Sequence, residues 1–120
     1  ADNIHFPQSD NDLEKIDVQI KTLDSLSLLN KENSGITLLK LDVQGYELEV
    51  LKGAEETLKN IDYIVIEANL EQLYTNQPSL NQMYYYLDSK GYEIKGMLDF
   101  NLGNGNKYIE IDLLFSKKAK

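Results

Sequence analysis

An apolar run followed by a glycine and then a helical pattern constrains the fold of this chain most. Apolar residues run almost unbroken from Ile36 to Val43, which predicts a strand covered on both faces. Gly45 turns the chain, and the apolar residues from Leu48 to Leu58 recur with the period of a helix. A buried strand, a turn and a helix form half of a βαβ unit. We therefore expect an α/β fold that binds ligands at the carboxyl ends of its strands.

Two charged residues interrupt this apolar run near its carboxyl end. Lys40 and Asp42 are two positions apart, so their side chains point to the same face of the sheet. A lysine within a buried run must find a partner or reach solvent, and Asp42 is one possible partner. Asp42 could also simply end the strand near the helix N-terminus. Spacing alone leaves both interpretations open.

A second apolar run, from Ile61 to Ala68, also ends in polar residues, Glu67 and then Asn69. Two successive strand–helix units imply parallel strands joined by right-handed crossovers. If the two strands are neighbours, Asp42 and Glu67 face the same crevice. Tyr74 lies in the loop that follows, which is long enough to form a rim.

The remaining sequence predicts further elements around these two strands. Residues 16–23 alternate like a half-exposed strand, and Asp24 can cap a short helix. One helix is expected from about Tyr46 to Lys59. Gly53 inside it costs about 1 kcal/mol relative to alanine, so we interpret Gly53 as a site of close packing against the sheet. Another helix begins at the capping box that starts with Ser79.

The end of the chain predicts two strands, Tyr92–Leu98 and Tyr108–Phe115. The turn residues between them leave no room for a helix, so these strands must be antiparallel, at the end of an otherwise parallel sheet.

Composition along the chain suggests its division into segments. We expect an N-terminal arm over residues 1–15, a partial domain over 16–116 and a lysine-rich tail over 117–120. His5 in the arm is interpreted as a solvated linker residue, because a general base needs a rigid supporting shell.

Composition also excludes several classes of function. The formal net charge is −8 and all 12 cationic side chains are Lys, so we expect no nucleic-acid partner. With no Cys and one His, neither a thiolate site nor an all-protein zinc site is expected. No apolar run is long enough to cross a bilayer, and no signal peptide is recognised. The prediction is a cytoplasmic protein without a membrane partner.

Several segments together resemble the FkbM family of S-adenosylmethionine-dependent methyltransferases. The longest, from Lys40 to Ala54, follows the pattern K-x-D-V-Q-G-Y-E-x-x-V-L-K-G-A and is far more specific than a lone glycine motif. The resemblance extends over nearly the whole chain from about Val18 onward. The other matching segments are Thr22-Leu23-Asp24, Ile66-Glu67, Tyr74, Gly91-Tyr92 and Asp112-Leu113-Leu114-Phe115.

The resemblance implies a Rossmann-like class I methyltransferase fold, of which this chain looks like the C-terminal half. Its sheet is expected to be mostly parallel, with a terminal antiparallel hairpin. The resemblance also implies S-adenosylmethionine as methyl donor and a hydroxyl acceptor, often on a sugar or natural product. The family's glycine-rich cofactor loop has no counterpart, because no G-x-G occurs before Gly45. We therefore expect S-adenosylmethionine to bind this fragment weakly or not at all.

Strand-end position and the resemblance together suggest the site residues. A hydroxyl acceptor needs a base, and Asp42 or Glu67 can serve if desolvation raises its pKa. We favour Asp42, because it precedes the Gly45 turn. No metal ligand is assigned. The residues expected at the cofactor are Asp42, Gln44 and Gly45, and those expected at the acceptor are Tyr46, Asn69 and Tyr74.

Two other functions remain open. The chain could be a non-catalytic α/β module that packs against or complements another chain. Two acids at adjacent parallel strand ends can also hold Mg²⁺ for phosphoryl chemistry, although the sequence has no convincing anion cradle. The resemblance places the strand Ile36–Val43 beside the missing first strand. The exposed edge then predicts a homodimer.

Overall fold

The computed structural model describes residues 3–4, 14–29, 35–69, 79–102 and 109–119. His5, Tyr74 with its loop, Tyr108 and the turn before it lie outside these ranges. The elements in chain order are β1 (Asn3–Ile4), β2 (Val18–Gln19), α1 (Leu23–Leu26), β3 (Leu38–Leu41), α2 (Glu47–Lys52), α3 (Glu55–Leu58), β4 (Tyr63–Asn69), α4 (Leu80–Ser89), β5 (Tyr92–Leu102) and β6 (Ile109–Lys117).

The main sheet has four strands in the order β3-β4-β6-β5. β3 and β4 are parallel neighbours, with Leu38 opposite Tyr63 and Leu41 opposite Ile66, as the two apolar runs predict. β6 runs antiparallel to β4 and to β5. The antiparallel direction predicted for the last two strands is therefore confirmed.

The expectation of a mostly parallel sheet is wrong, because the sheet is mixed. β6 does not add to the outside of the sheet but inserts between β4 and β5. It therefore makes antiparallel ladders on both of its sides, and β3–β4 is the parallel pair of the four-stranded sheet. The fold class is α/β with a mixed sheet.

The core lies between one face of this sheet and the helices α2, α3 and α4. Apolar residues of the strands and helices form this core, buried at its centre and half-buried at its border. The buried ones include Leu41, Leu51, Leu58, Ile64, Ile66, Leu87 and Leu113, and the half-buried ones include Leu39, Leu48, Leu80 and Ile111.

The prediction that β3 is covered on both faces is wrong. Ile36 is 80% exposed and Leu38 57% exposed, whereas Leu41 is buried. Exposure alternates along the strand because the helices described here pack on one face only, and the other face of β3 meets solvent.

The predicted helix from Tyr46 to Lys59 is broken into α2 and α3 at Gly53 and Ala54. A Cβ atom added to Gly53 would lie 3.1 Å from both Cβ and Cγ2 of Thr22. The carbonyl of Gly53 also accepts a hydrogen bond from the Asp24 amide at 3.0 Å. Gly53 is thus a packing residue, but its close neighbour is the segment before α1 and not the sheet.

Asp24 does not cap α1 as predicted. The N-cap of α1 is Thr22, whose side chain accepts from the Ser25 amide. The Asp24 carboxylate instead accepts from the amides of Glu56 at 3.1 Å and Thr57 at 2.8 Å, and from the Thr57 hydroxyl at 2.7 Å. Asp24 therefore caps α3 and ties it to α1.

The strand predicted over residues 16–23 is limited to β2. β2 pairs antiparallel with β1, with Ile4 opposite Val18, in a separate two-stranded sheet. β1 lies within the segment expected to be an irregular arm. Ile16 is 65% exposed, so the apolar side of this segment has no core behind it that would extend the strand.

Candidate functional site

The two acids expected to face one crevice lie at the carboxyl ends of neighbouring strands. Asp42 directly follows β3, and Glu67 lies near the end of β4. Leu41 is opposite Ile66, so continuing the parallel register places Asp42 beside Glu67. Because side chains alternate along a strand, both acids lie on the face opposite to the buried Leu41 and Ile66. They share the open face of the sheet.

A tight turn follows Asp42. Gln44 and Gly45 both have positive φ, 53° and 95°, and the Tyr46 amide donates to the Val43 carbonyl at 3.3 Å. Positive φ at both central residues is the pattern of a type I′ turn. Glycine adopts it readily, whereas a side chain such as that of Gln44 costs about 1 kcal/mol or more there. The backbone is therefore strained next to a candidate catalytic acid.

The side chain of Gln44 reaches back to Asp42. Its Nε2 atom donates to Asp42 Oδ1 at 3.3 Å. The proposed contact between Lys40 and Asp42 is absent, and in the described part of the chain no ion pair links these two residues. Lys40 is exposed, so its ammonium group reaches solvent and has no need of a partner.

Sequence reasoning missed Glu47 as a residue of this site. Its side chain is only 4% exposed, and its Oε1 atom accepts from the Gly45 amide at 3.3 Å. Glu47 thus stabilises the turn between Asp42 and α2. The signal was present in the sequence, because Glu47 lies four residues before the core residue Leu51 and so falls on the same helix face.

Glu67 has the most unusual electrostatic environment of these residues. It is half-buried and lies directly opposite Asp112 of β6. Burial raises the pKa of Glu67 above its ordinary value, and the negative charges of Glu110, Asp42, Asp112 and Glu47 raise it further, in that order. Within the described ranges no lysine forms an ion pair with Glu67. Glu67 therefore binds a proton more readily than a solvated glutamate.

The structure brings together five of the predicted site residues, Asp42, Gln44, Gly45, Tyr46 and Glu67. Tyr46 is the N-cap of α2 and is 49% exposed, so its ring is accessible beside the turn. Of Asn69 the backbone is described, as the last residue of β4 opposite Glu110, but its side chain is not. Tyr74 lies outside the described residues.

A cavity of about 560 Å³ lies elsewhere, lined by residues that include Lys59, Lys90, Lys117 and Lys118. Each of these lysines has a partner: Glu56, Glu55, the Lys59 carbonyl and Asp88, respectively. Lys117 is opposite Tyr92, at the end of the sheet where β4 begins. This cavity is therefore separate from the strand ends that carry Asp42 and Glu67.

Among the residues described, no group of three or more His, Cys, Asp or Glu side chains could hold a metal ion. No helix in the same ranges is long and apolar enough to cross a membrane.

Polar residues beyond the carboxyl ends of parallel strands are where α/β enzymes bind their ligands. The class of enzyme follows from the family comparison, in which residues 2–94 match the model of the methyltransferase FkbM domain. The chain belongs to this family of methyltransferases, a class of enzymes that in general use S-adenosylmethionine. The match begins before Val18 and ends at Ile94, so residues 112–115 lie outside it. Comparisons with curated proteins and with solved structures gave no match.

Proposed function

We propose that this chain carries the acceptor side of an O-methyltransferase, with Glu67 as the base that accepts the proton of an acceptor hydroxyl. The acceptor is a hydroxyl on a sugar or natural product. The observation that carries the proposal is the position of Glu67, half-buried at a strand end beside Asp42 and opposite Asp112, in a chain of a methyltransferase family. Burial and these neighbouring acids raise the pKa of Glu67. Asp42, Gln44 and Gly45 are assigned to the methyl-donor side, and Tyr46, Asn69 and Tyr74 to the acceptor side.

The chemistry requires a base and correct positioning. When bound, S-adenosylmethionine supplies an electrophilic methyl group on a positively charged sulfur. The hydroxyl oxygen must be oriented toward that methyl group, and much of the rate comes from this positioning. The hydroxyl proton passes to a Glu67 carboxylate oxygen. A base is most effective when its pKa lies near the working pH, so a raised glutamate pKa favours this role.

Two observations favour Glu67 over Asp42, which the sequence had suggested. Asp42 is exposed, and one of its carboxylate oxygens already accepts from Gln44. Glu67 is half-buried among other acids, and its desolvation strengthens it as a base. We assign to Asp42 the role of orienting Gln44 and of adding negative charge beside Glu67.

The charge of this end of the sheet fits a cationic donor. The negative charges of Asp42 and Glu47 raise the pKa of Glu67 here, and a sulfonium cation beside Glu67 would offset this repulsion. No G-x-G precedes Gly45 in the 120 residues, so we propose that S-adenosylmethionine binds them only weakly. The cytoplasmic location remains a prediction.

Methyl transfer to a panel of hydroxylated sugars and natural products tests the proposal. The assay uses isotope-labelled S-adenosylmethionine at millimolar concentration, because weak binding is expected. Transfer to an acceptor oxygen should be measurable and should fall at least about a hundredfold in Glu67→Gln, the range typical of general base catalysis. Asp42→Asn should lower donor affinity, because Asp42 is assigned to the methyl-donor side, and should lower turnover less than Glu67→Gln does.

The matched control is Glu93→Gln, because Glu93 is an exposed acid opposite Ser116 on the same sheet face, far from Asp42. This control should keep the wild-type rate. Equal rates for wild type and Glu67→Gln would remove Glu67 as the base. Donor-induced amide shifts remote from residues 42–46 and 67–69 would contradict the assignment of the site.

Among the described strands β3 lies at an edge of the main sheet, which supports the alternative of an interaction module. That function predicts no methyl transfer by the wild-type chain under any of these conditions, together with association through β3. The two functions are therefore distinguished by the same assay combined with a measurement of mass.

A further inference from the structure

Glu47 is a buried acid on the face of α2 that also carries the fully buried Leu51. Burying a carboxylate costs free energy unless hydrogen bonds compensate for it. Among the described residues, the hydrogen-bond partner of this carboxylate is the Gly45 amide, and no lysine forms an ion pair with it. An apolar residue at position 47 would avoid the cost of burial but would make no such bond. What Glu47 contributes is therefore its contact with the turn.

The Gly45 amide belongs to a turn that is strained at Gln44. Gln44 has a φ of 53° although it is not glycine, and Gly45 has a φ of 95°. A type II turn is the less strained alternative, because its first central residue has negative φ and only its second needs positive φ. Glycine at position 45 suits both turns. Contacts outside the backbone of the turn must therefore favour the observed form.

Two hydrogen bonds act on this form of the turn. The Gly45 amide donates to Glu47 Oε1 in a half-buried position, and the Gln44 side chain donates to Asp42 Oδ1 in an exposed one. Water competes less with a hydrogen bond that is partly buried, and breaking such a bond costs more. The contact with Glu47 is therefore the stronger restraint on the turn.

The conformation of Gln44 determines where its side chain points. In the observed turn its Nε2 atom lies 3.3 Å from Asp42 Oδ1, and both residues are assigned to the methyl-donor side. A return of Gln44 to negative φ would redirect this side chain and break the contact. The carboxylate of Asp42 would then lose the hydrogen bond that orients it.

We infer that Glu47 is a positioning residue for the methyl-donor side of the site. Its buried carboxylate holds the Gly45 amide, keeps Gln44 at positive φ and thereby holds Gln44 against Asp42. Glu47 acts through the turn and not by touching the donor. Its effect on the donor rests on the proposed function, whereas its effect on the turn does not.

Glu47→Met and Glu47→Gln separate the hydrogen bond from the charge. Methionine fills a similar volume but has no oxygen acceptor, whereas glutamine keeps an oxygen within reach of Gly45 and loses only the charge. NMR coupling constants of Gln44 distinguish positive from negative φ. In Glu47→Gln the φ of Gln44 should stay positive, and in Glu47→Met it should become negative.

Titration of the same variants with millimolar S-adenosylmethionine measures the effect on the donor, with the amide shifts of residues 42–46 as the readout. In Glu47→Met the apparent donor Kd should rise roughly fivefold or more, because it equals the intrinsic Kd divided by the fraction of chains in the binding-competent form. In Glu47→Gln the donor Kd should stay close to the wild-type value.

Glu49→Met and Glu49→Gln are the matched controls, because Glu49 is an exposed acid in the same first turn of α2. Neither should change the φ of Gln44 or the donor Kd. Positive φ at Gln44 in Glu47→Met would overturn the positioning role, as would negative φ with an unchanged donor Kd. Equal effects of Glu47→Gln and Glu47→Met would overturn the hydrogen bond to Gly45 as its basis.

Hydrogen exchange of the wild-type chain gives a readout that does not depend on the folding of a variant. The Gly45 amide should exchange more slowly than the same amide in the unfolded chain, and unprotected exchange would overturn its contact with Glu47. If the wild-type chain shows neither donor-induced shifts nor methyl transfer, the proposed function fails. The φ of Gln44 in the two Glu47 variants still decides whether Glu47 holds the turn.

Discussion

Glu67 lies directly opposite Asp112 in the antiparallel ladder between β4 and β6. Asp112 in turn lies opposite Asp99 of β5. Like charges directly opposite each other destabilise a sheet, so this row of acids on the open face opposes folding. Electrostatic strain of this kind is common where a pKa is tuned for function. Repulsion within this row of acids therefore lowers the stability of the fold while it raises the pKa of the proposed base.

Replacing Glu67 by Gln should stabilise the protein at neutral pH. A pKa that is raised in the folded state means that ionisation of Glu67 is less favourable there than in the unfolded chain. The free energy of unfolding should rise by roughly 0.2–1 kcal/mol in Glu67→Gln at neutral pH. The gain should shrink as the pH falls through the raised pKa toward about 4.3, the unfolded value.

Urea denaturation of wild type and Glu67→Gln at several pH values measures this effect. Glu93→Gln is again the control, and it should show no comparable gain. A destabilised Glu67→Gln at neutral pH would mean that the Glu67 carboxylate has a favourable partner in the folded protein.

The bond network of Asp24 should stabilise α3 and the helix pair. The hydrogen bond from the Thr57 hydroxyl, above all, lowers the pKa of Asp24. Asp24→Ala should lower the free energy of unfolding by about 0.5–2 kcal/mol, as for other N-caps. Because the folded pKa is depressed, this contribution is complete above the unfolded pKa of Asp and is lost as the pH falls through the folded one.

A double-mutant cycle with Thr57→Val identifies the contact. If Asp24 and Thr57 act through their shared hydrogen bond, the two single variants should together lose more free energy of unfolding than the double variant does. The difference should be about 0.5 kcal/mol or more. Additive losses would show that Asp24 stabilises the protein by another route.

Leu51 should be among the most important core residues. Its side chain is 0% exposed on the inner face of α2, so Leu51→Ala creates a cavity and should cost about 2–5 kcal/mol. Leu28→Ala removes the same atoms from a residue that is 64% exposed and should cost less than about 0.5 kcal/mol. Chemical denaturation measures the free energy of unfolding of Leu51→Ala and Leu28→Ala. Equal losses in the two variants would mean that Leu51 does not face the core as the structure shows.

Tyr92 should make stability sensitive to alkaline pH. Its hydroxyl is buried and lies within 2.6 Å of the Leu58 carbonyl and 2.5 Å of the Ile61 carbonyl. Burial, with a smaller effect of Asp62, raises the pKa of Tyr92 to about 12. The stabilisation that the neutral Tyr92 hydroxyl gives the folded state is therefore complete below about pH 10, the unfolded tyrosine pKa. It is lost as the pH rises toward 12.

Tyr92→Phe should not show this loss of stability between about pH 10 and pH 12. The variant should also lose about 1–3 kcal/mol below pH 10, because the Ile61 carbonyl loses the Tyr92 donor, whereas the Leu58 carbonyl keeps the Ile61 amide as donor. Unfolding curves between neutral pH and pH 12 compare it with wild type. If the stability of the wild-type chain falls no faster with rising pH than that of Tyr92→Phe, the Tyr92 hydroxyl is not held in a buried, hydrogen-bonded position.

Local sequence pattern predicts the part of the fold around the two parallel strands. The run to Val43, the turn at Gly45 and the second run to Glu67 establish a parallel pair with acids at its ends. Local pattern does not reveal that β6 inserts beside β4, because either edge of a sheet satisfies an antiparallel strand equally well. Asp112 opposite Glu67 follows from that insertion and could not be predicted.

Long-range contacts explain the other differences. Asp24 looks like the cap of its own helix, and its partners Glu56 and Thr57 lie more than thirty residues further along the chain. Position on the helix face could have identified Glu47 as buried, but acids in a first turn are usually explained by the helix dipole. The choice of Glu67 over Asp42 depends on burial, which sequence pattern does not give.

Glu67 should be held at the strand ends as a base with a raised pKa. An NMR titration of its side-chain carboxyl carbon in the folded chain, and in the same chain unfolded in urea, measures this directly. The pKa of Glu67 should be higher in the folded chain than in the unfolded one, and the difference should be smaller in Asp112→Asn and in Asp42→Asn. A folded pKa equal to or below the unfolded one would mean that Glu67 is not tuned as a base.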